Sequence, residues 1–239
     1  MNYLISIIIP IINEADNISN LLNHLLKSAS EKNISEILIV DGGSRDGSQD
    51  IVQSFESLNN FKILLLNSKK GRAKQMNLGA KHAKGNILYF LHADSFPPKN
   101  FDTFIINQVN KDNLAGCFKM RFNSNHVWLK MASWFTQFNW KSFRGGDQSL
   151  FITSLLFNKI GGFNEAFTIY EDNDFIRKLY TRNQFVVIQE WITTSARCYN
   201  TNGIYKLQYH YWSIHIKKWL GASPKVLNDY YHKHINVKN

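Results

Sequence analysis

The chain is poor in the residues that build small or fibrous scaffolds. Two cysteines in 239 residues, Cys117 and Cys198, cannot form a disulfide framework or a four-cysteine zinc site. Such sparse usage fits a reducing compartment, with both thiols as packing residues. With 13 Gly and 4 Pro the sequence is neither collagen-like nor low in complexity. At the N-terminus the longest apolar run, Tyr3 to Ile12, contains Ser6 and Pro10. It falls well short of the ~20 residues that span a bilayer. It also lacks the basic flank and small-residue cleavage site of a signal peptide, so the expectation is a cytoplasmic protein. Two nucleotide-binding signatures are missing as well. No Gly-x-Gly-x-x-Gly follows the first apolar run, where Pro10-Ile11-Ile12-Asn13-Glu14 stands instead. A dinucleotide-binding dehydrogenase needs glycines where the backbone meets the pyrophosphate, and this argues against one. No Gly-x-x-x-x-Gly-Lys-Ser/Thr occurs either, which excludes a P-loop ATPase.

What is present is a large core and an uneven charge. Hydrophobic residues make up 44% and aromatics 14%, enough for a substantial apolar interior. The net charge is +10, from 28 basic and 18 acidic residues. From Arg197 onward stand seven Lys or Arg and one acid, Asp229. A basic surface suits a nucleic acid, an anionic membrane face or a diphosphate substrate. No helix-turn-helix, zinc or ribonucleoprotein signature supports the nucleic acid.

Leu4 to Ile12 reads as a strand buried on both faces and Ile37 to Val40 as a second buried strand, with Ile63 to Leu66 a third strand and Ile87 to Leu91 a fourth. Between them, Ile18, Leu21, Leu22, Leu25 and Leu26 mark a helix capped by Asp16. Ile51, Val52 and Phe55 mark a second helix, and Ala73, Met76, Ala80 and Ala83 a third. Alternating strands and helices imply a parallel sheet covered on both faces, with ligands at the carboxyl ends of its strands. Polar clusters stand at those ends: Asn13-Glu14, Asp41 to Asp46, and His92-Ala93-Asp94. After Asp112 the rhythm breaks into a strand at Ala115 to Phe122 and an aromatic segment from Trp128 to Trp140. A loop at Gly145 to Gln148, a helix at Tyr170 to Tyr180 and an amphipathic segment from Gly203 to Leu220 follow. One domain over 1–239 is expected, with a nucleotide-binding half at 1–112, an acceptor and catalytic half at 113–200 and a basic C-terminal segment at 201–239.

Asp41-Gly42-Gly43-Ser44-Arg45-Asp46-Gly47 ends a strand with an acid, lets the backbone approach a ligand, and offers Ser44 or Asp46 as a helix cap. In the last segment Ile204, Leu207, Tyr211 and Ile214 form one stripe with Trp212, Ile216 and Trp219 beside it, and Lys206, Lys217 and Lys218 add charge. Docking on the body and peripheral contact with an anionic membrane both fit that pattern.

These motifs in order resemble the family-2 glycosyltransferases. They are Ile-Pro-x-x-Asn-Glu at Ile9 to Glu14, Val-Asp-Gly-Gly-Ser-x-Asp-Gly at Val40 to Gly47, and Gly71-Arg72 with Asn77 and Gly79. Phe90 to Asp94, Gly146-Asp147-Gln148, Gly161-Gly162-Phe163 and Glu171-Asp172 follow. The resemblance implies a GT-A-like α/β fold for nucleotide-diphospho-sugar transfer, with a central, mostly parallel sheet flanked by helices. It places Pro10, Asn13, Glu14, Asp41 and Gly43 in the nucleotide-sugar pocket, Asp41 reading the base, with Arg72 near the diphosphate. Asp94 matches the last residue of the family's Asp-x-Asp and would hold a divalent cation, Mn²⁺ or Mg²⁺. His92 replaces the first Asp, a variant similar to a small bacterial subgroup, and is expected near the ribose or the metal. Asp147, Gln148 and Glu171 would face the acceptor, and Asp172 matches the catalytic base of an inverting hexosyltransferase-like enzyme. The helix end at Asp172 is expected to keep that carboxylate ionised. By resemblance the donor is first a UDP-sugar, with guanosine and thymidine diphosphate sugars left open, and the acceptor is a sugar or lipid-linked hydroxyl. The departure at His92 supports one alternative: an inactive carbohydrate- or membrane-surface-binding protein on the same scaffold.

Overall fold

Ile5, Ile7, Ile8, Ile9 and Ile11 lose all contact with solvent because the strand they form lies inside a sheet. The computed structural model describes residues 3–56 and 61–235. In chain order the first half comprises β1 (Ile5–Ile11), α1 (Ala15–Ser28), β2 (Ile34–Asp41), α2 (Ser48–Glu56), β3 (Ile63–Asn67), α3 (Arg72–His82), β4 (Ile87–Phe90), β5 (Ser95–Phe96) and α4 (Phe101–Val109). The second half comprises β6 (Ala115–Phe122), α5 (Val127–Phe135), β7 (Leu150–Thr153), α6 (Ser154–Ile160), α7 (Glu171–Tyr180), β8 (Val186–Thr194), α8 (Arg197–Asn202), α9 (Ile204–Trp219) and α10 (Pro224–His234). Part of the expected C-terminal segment, 236–239, lies outside the described residues.

The eight strands form one sheet in the order β3-β2-β1-β4-β7-β6-β8-β5. Strands β3, β2, β1 and β4 are mutually parallel, as their alternation with helices implies. The break after Asp112 is where β7 enters antiparallel between β4 and β6, while β8 runs parallel to β6. Side chains alternate between faces with a period of two. Ile5, Ile7, Ile9 and Ile11 therefore pack with α1, α2 and α4, whereas Ile8, Leu38 and Val40 pack with α3, α6 and α7. Gly79 is required where α3 crosses the sheet, since a Cβ there would come within 2.4 Å of Ile8 Cγ2. A third apolar cluster joins Leu129 of α5 to Leu207 and Ile214 of α9 and Leu227 of α10.

One local expectation is corrected. Asp16 lies in the first turn of α1 and does not cap it; Glu14 holds the cap position. The first amides are satisfied instead from the neighbouring loop, Glu14 N donating to Ser48 Oγ and Ala15 N to Asp46 Oδ2. Using side chains from the loop after β2 and the start of α2 to cap the helix after β1 locks the two strand ends together.

Candidate active site

Parallel strands bring their carboxyl ends to one edge, and the loops after β1, β2 and β4 meet there. Asn13, at a positive φ of 52°, donates its backbone N–H to Ser44 Oγ and accepts from Arg45 N through its side chain. Pro10 lies beside Val40 within this frame. Asp41 is buried, and its oxygens accept from Gly43 N, Ser44 N, Ser44 Oγ and Gln49 Nε2. A base N–H reaching Asp41 would have to compete with these donors, of which Gln49 Nε2 stands on the longest side chain. Gly43 has φ 100°, which the turn needs in order to aim its amide at Asp41. Beneath, the buried Gln75 amide donates to both Ile11 O and Val40 O, tying the ends of β1 and β2 together.

The reactive-looking groups collect in two ionic clusters. In the first, Arg72 Nη1 lies 3.3 Å from Glu171 Oε1 and 3.6 Å from Asp172 Oδ2. His92 stands between two carboxylates, with Nδ1 3.6 Å from Asp147 Oδ1 and Nε2 3.9 Å from Asp172 Oδ2. Tyr170, in the left-handed region at φ 72°, turns the chain so that α7 starts with Glu171 and Asp172 pointing inward. The helix end does not keep Asp172 ionised in this setting. Burial, then the neighbouring Glu171 charge, push its pKa up to about 7 against the opposing pull of Arg72. Glu171 is buried and its pKa is raised, chiefly by burial. Desolvation, aided by the Arg72 charge, lowers His92 to about 3, so the imidazole is neutral at pH 7. The Arg72 side chain is partly exposed, and the carboxylates of Glu171 and Asp172 beside it hold the guanidinium firmly protonated.

In the second cluster Arg197 Nη2 lies 2.9 Å from Glu14 Oε1 and 3.6 Å from Asp94 Oδ2. Glu14 also accepts from Asn17 Nδ2 at 2.6 Å. Burial and the charge of Asp147 push the Asp94 carboxyl up to about 6, with Arg197 pulling the other way. In the sequence Arg197 is legible only as part of a basic tail. The available signal was its position three residues after the end of β8, where Ser195 N donates to Asp94 O.

Gln148 is not brought to these clusters. It is buried, its Oε1 accepts from Arg144 Nη1 at 2.6 Å and from Cys117 Sγ, and its amide donates to Phe143 O. Glu171, expected near the acceptor, is shielded behind Asp172 and Arg72 with about 1% of its surface exposed. Asp147 is the exposed carboxylate of the group. Among the described residues no three His, Cys, Asp or Glu side chains gather as a metal site. Asp94 fits a hard divalent cation only as a single carboxylate ligand, with phosphate oxygens and water completing the shell.

The profile of Glycosyl transferase family 2 matches residues 6–169. The glycosyltransferase AglE of Haloferax volcanii is 37% identical over 94 residues, 39% of this chain and 31% of that protein. A Methanococcus voltae enzyme named as a dolichyl N-acetyl-alpha-D-glucosaminyl phosphate 3-beta-D-2,3-diacetamido-2,3-dideoxy-beta-D-glucuronosyltransferase is 33% identical over 103 residues, 42% of this chain and 32% of its own length. The match thus spans about a third of these curated relatives. Two solved structures share the fold. S. aureus TarS with UDP has a TM-score of 0.66 at 23% identity, covering 80% of this chain and 60% of that one. A Pyrobaculum calidifontis mannosyltransferase with GDP-Man and Mn²⁺ has a TM-score of 0.70 at 18% identity, covering 97% and 70%. With its GT-A-like sheet and a family match over most of its length, the chain belongs to glycosyl transferase family 2.

Proposed function

We propose that the chain transfers a sugar from a nucleoside-diphosphate donor to an acceptor hydroxyl with inversion, Asp172 acting as general base. The carrying observation is the Asp172 carboxylate: buried, raised to about 7, and flanked by Arg72 and His92 at the carboxyl edge of the sheet. A general base works best when its pKa lies near the working pH. In the reaction the acceptor O–H gives its proton to Asp172 while its oxygen bonds to the anomeric carbon. The bond from that carbon to the diphosphate oxygen breaks, and the electron pair leaves on phosphate.

Arg72 links binding to this step. Its fork suits phosphate oxygens, and a donor diphosphate would compete with Glu171 and Asp172 for it. Drawing Arg72 away removes the charge that lowers the Asp172 pKa, so a bound donor makes the base stronger. A divalent cation held by Asp94, with Glu14 and Asn13 toward the nucleotide, would neutralise the leaving diphosphate. A UDP-sugar is the donor we favour, as UDP occupies the TarS structure; GDP-Man in the mannosyltransferase structure makes guanosine the comparison to run. A lipid-linked acceptor fits the name of the Methanococcus voltae relative.

A thermal-shift series of nucleoside diphosphates with and without Mn²⁺ tests the donor, because ligand binding to the native state raises Tm by mass action. Donor hydrolysis in Mn²⁺, lost in Asp172→Asn, tests the chemistry. Nucleotide binding without hydrolysis or transfer would favour the inactive binding scaffold, and no shift with any diphosphate would sink the reading.

A further inference from the structure

The exposed apolar side chains of this protein are concentrated. Of the twelve large ones among the described residues, nine lie on α5, on α9 or at the end of α9. Along α9, Tyr205, Tyr209, Trp212, Ile216, Trp219 and Leu220 recur every three or four residues and fall within ~100° of arc. Leu207, His210 and Ile214 are buried on the opposite side. Along α5, Val127, Met131 and Trp134 repeat the spacing opposite the buried Leu129 and Ser133. That periodicity normally marks the face turned to the core. Here a second such stripe on each helix is turned to solvent, Trp219 with 83% of its surface exposed.

Trp128, next to the α5 stripe, links the two helices. The Trp128 ring lies 6.0 Å from that of Tyr205 and 6.4 Å from that of Trp212. Beyond α5 the row continues from Trp134 to Phe138 at 4.9 Å and on to Trp140 at 5.1 Å. The charge bordering this row has one sign. Residues 113–146 contain five Lys or Arg and no acid, and α9 contains three Lys and no acid. Beside Trp134 a groove of about 680 Å³ is lined by Arg121, Lys130 and Trp191 with small polar residues and no carboxylate.

We propose that α5 and α9 form one face that seats the protein on an anionic lipid surface, with Arg121 and Lys130 meeting lipid phosphates at its edge. Tryptophan and tyrosine suit the zone between headgroups and acyl chains. Basic residues at the rim gain from anionic lipids. Self-association through the same face would set Lys130 and Lys206 against another basic surface with no carboxylate to pair them. No helix among the described residues is long and apolar enough to cross a membrane, so the face lies on the bilayer rather than through it. Thr193 lines the groove, Thr194 pairs with Ser95 beside Asp94, and Arg197 precedes Tyr205 by eight residues. The seated face and the candidate site therefore share one chain segment. The inference deepens the transferase reading by naming the side from which an acceptor arrives, while its observations are independent of catalysis.

The full chain should co-sediment with vesicles of phosphatidylglycerol and phosphatidylcholine, and not with phosphatidylcholine alone. Its affinity should fall about tenfold or more as salt rises from about 50 to about 500 mM. Brominated acyl chains should quench its tryptophan fluorescence. Ile216→Ser with Trp219→Ser, and Lys130→Glu with Lys206→Glu, should each weaken binding by roughly tenfold or more. Leu155→Ser, exposed on α6 rather than on α5 or α9, should bind as wild type. All these side chains are exposed, so melting temperatures serve as the check on folding. Absence of binding to anionic vesicles at low salt overturns the proposal, as does binding that both double variants retain. A dimer in light scattering that the apolar double variant dissolves, without vesicle binding, also overturns it. Failure of the transferase reading would appear separately, as loss of nucleoside-diphosphate binding in the absence of vesicles.

Discussion

Arg197 Nη2 stands 2.9 Å from Glu14 Oε1, closing an ion pair between residues 183 positions apart in the chain. The same nitrogen lies 3.6 Å from Asp94 Oδ2, so one guanidinium from the segment after β8 holds the loops after β1 and β4. Since Arg197 is 43% exposed, the pair adds little to stability, about 1 kcal/mol or less. Its consequence is for ligand binding, because a fixed cation stands at the residues expected to meet a diphosphate and its metal. Arg197→Ala should therefore leave Tm almost unchanged while metal-free nucleoside-diphosphate affinity falls roughly tenfold. Calorimetric titration reads this directly. Unchanged affinity with intact folding would remove Arg197 from the site.

Asp172 gives a pH prediction with a definite sign. Its carboxyl is raised from an ordinary 3.8 to about 7, so a base role requires turnover to rise with pH through that region. Asp172→Asn should lose about 10²–10⁴-fold in turnover while donor affinity is kept or tightened, since one competitor for Arg72 is neutralised. The same shift carries a stability signature. A raised carboxyl pKa contributes stability below the unfolded value, and that stability is lost as pH rises through the folded value. Asp172→Asn should then melt higher than wild type at pH 8, with the advantage shrinking as pH falls toward 4. Full transfer by Asp172→Asn would pass the base role to Asp147, the exposed carboxylate beside His92.

The sequence made the β1 to β4 half legible because β1, β2 and β4 are buried on both faces and each ends in a short polar cluster that the parallel order brings together, whereas β3, at the sheet edge, is only partly buried. Asp172 and Arg72 were readable as members of ordered motifs, though not as partners, since 100 residues separate them. The four-residue β7 carries no periodicity of its own and lies between a turn and α6. Strand β8 is obscured by exposed Gln189 and Glu190 and by the register shift opposite Phe118 and Lys119. In α9 both apolar stripes were visible. Which one packs inward depends on Leu129 and Leu227, contributed by other helices.

His92 and Asp94 make a paired prediction about the metal. If His92-Ala93-Asp94 stands in the place of the family's Asp-x-Asp, Asp94 is its one carboxylate, and Asp94→Ala should abolish the Mn²⁺-dependent part of nucleoside-diphosphate binding. His92→Asp should tighten Mn²⁺ binding by supplying the second carboxylate. It also places a negative charge beside Asp147 and Asp172, which lie 3.6 and 3.9 Å from the present imidazole. The rise of turnover with pH should therefore move to higher pH. Titration with Mn²⁺ and a pH–rate profile test the two halves separately. Weaker Mn²⁺ binding would show that the imidazole itself serves the site.

Arg144 offers a prediction about the scaffold rather than the chemistry. It is buried, and among the described residues no carboxylate pairs with it. Its guanidinium donates instead to Thr136 O at 2.7 Å, Phe138 O at 2.5 Å, Gln148 Oε1 at 2.6 Å, Cys117 Sγ and Trp140 O. One planar fork thus gathers the carbonyls of the aromatic segment between α5 and β7, and holds Gln148 in the turn that presents Asp147. Lysine carries the same charge but has three donors on one atom, and cannot reach carbonyls on several sides at once. Arg144→Lys should cost about 3 kcal/mol, a desolvated cation with part of its hydrogen bonding missing. Arg144→Met avoids burying a charge yet leaves the same carbonyls unpaired, so it too should destabilise. In both variants the loosened Phe138 and Trp140 should weaken the near-ultraviolet circular dichroism and amide exchange should quicken across 136–148, while exchange in β1 and β2 stays slow. Wild-type melting together with unchanged exchange in that segment would show that the Arg144 fork does not hold it.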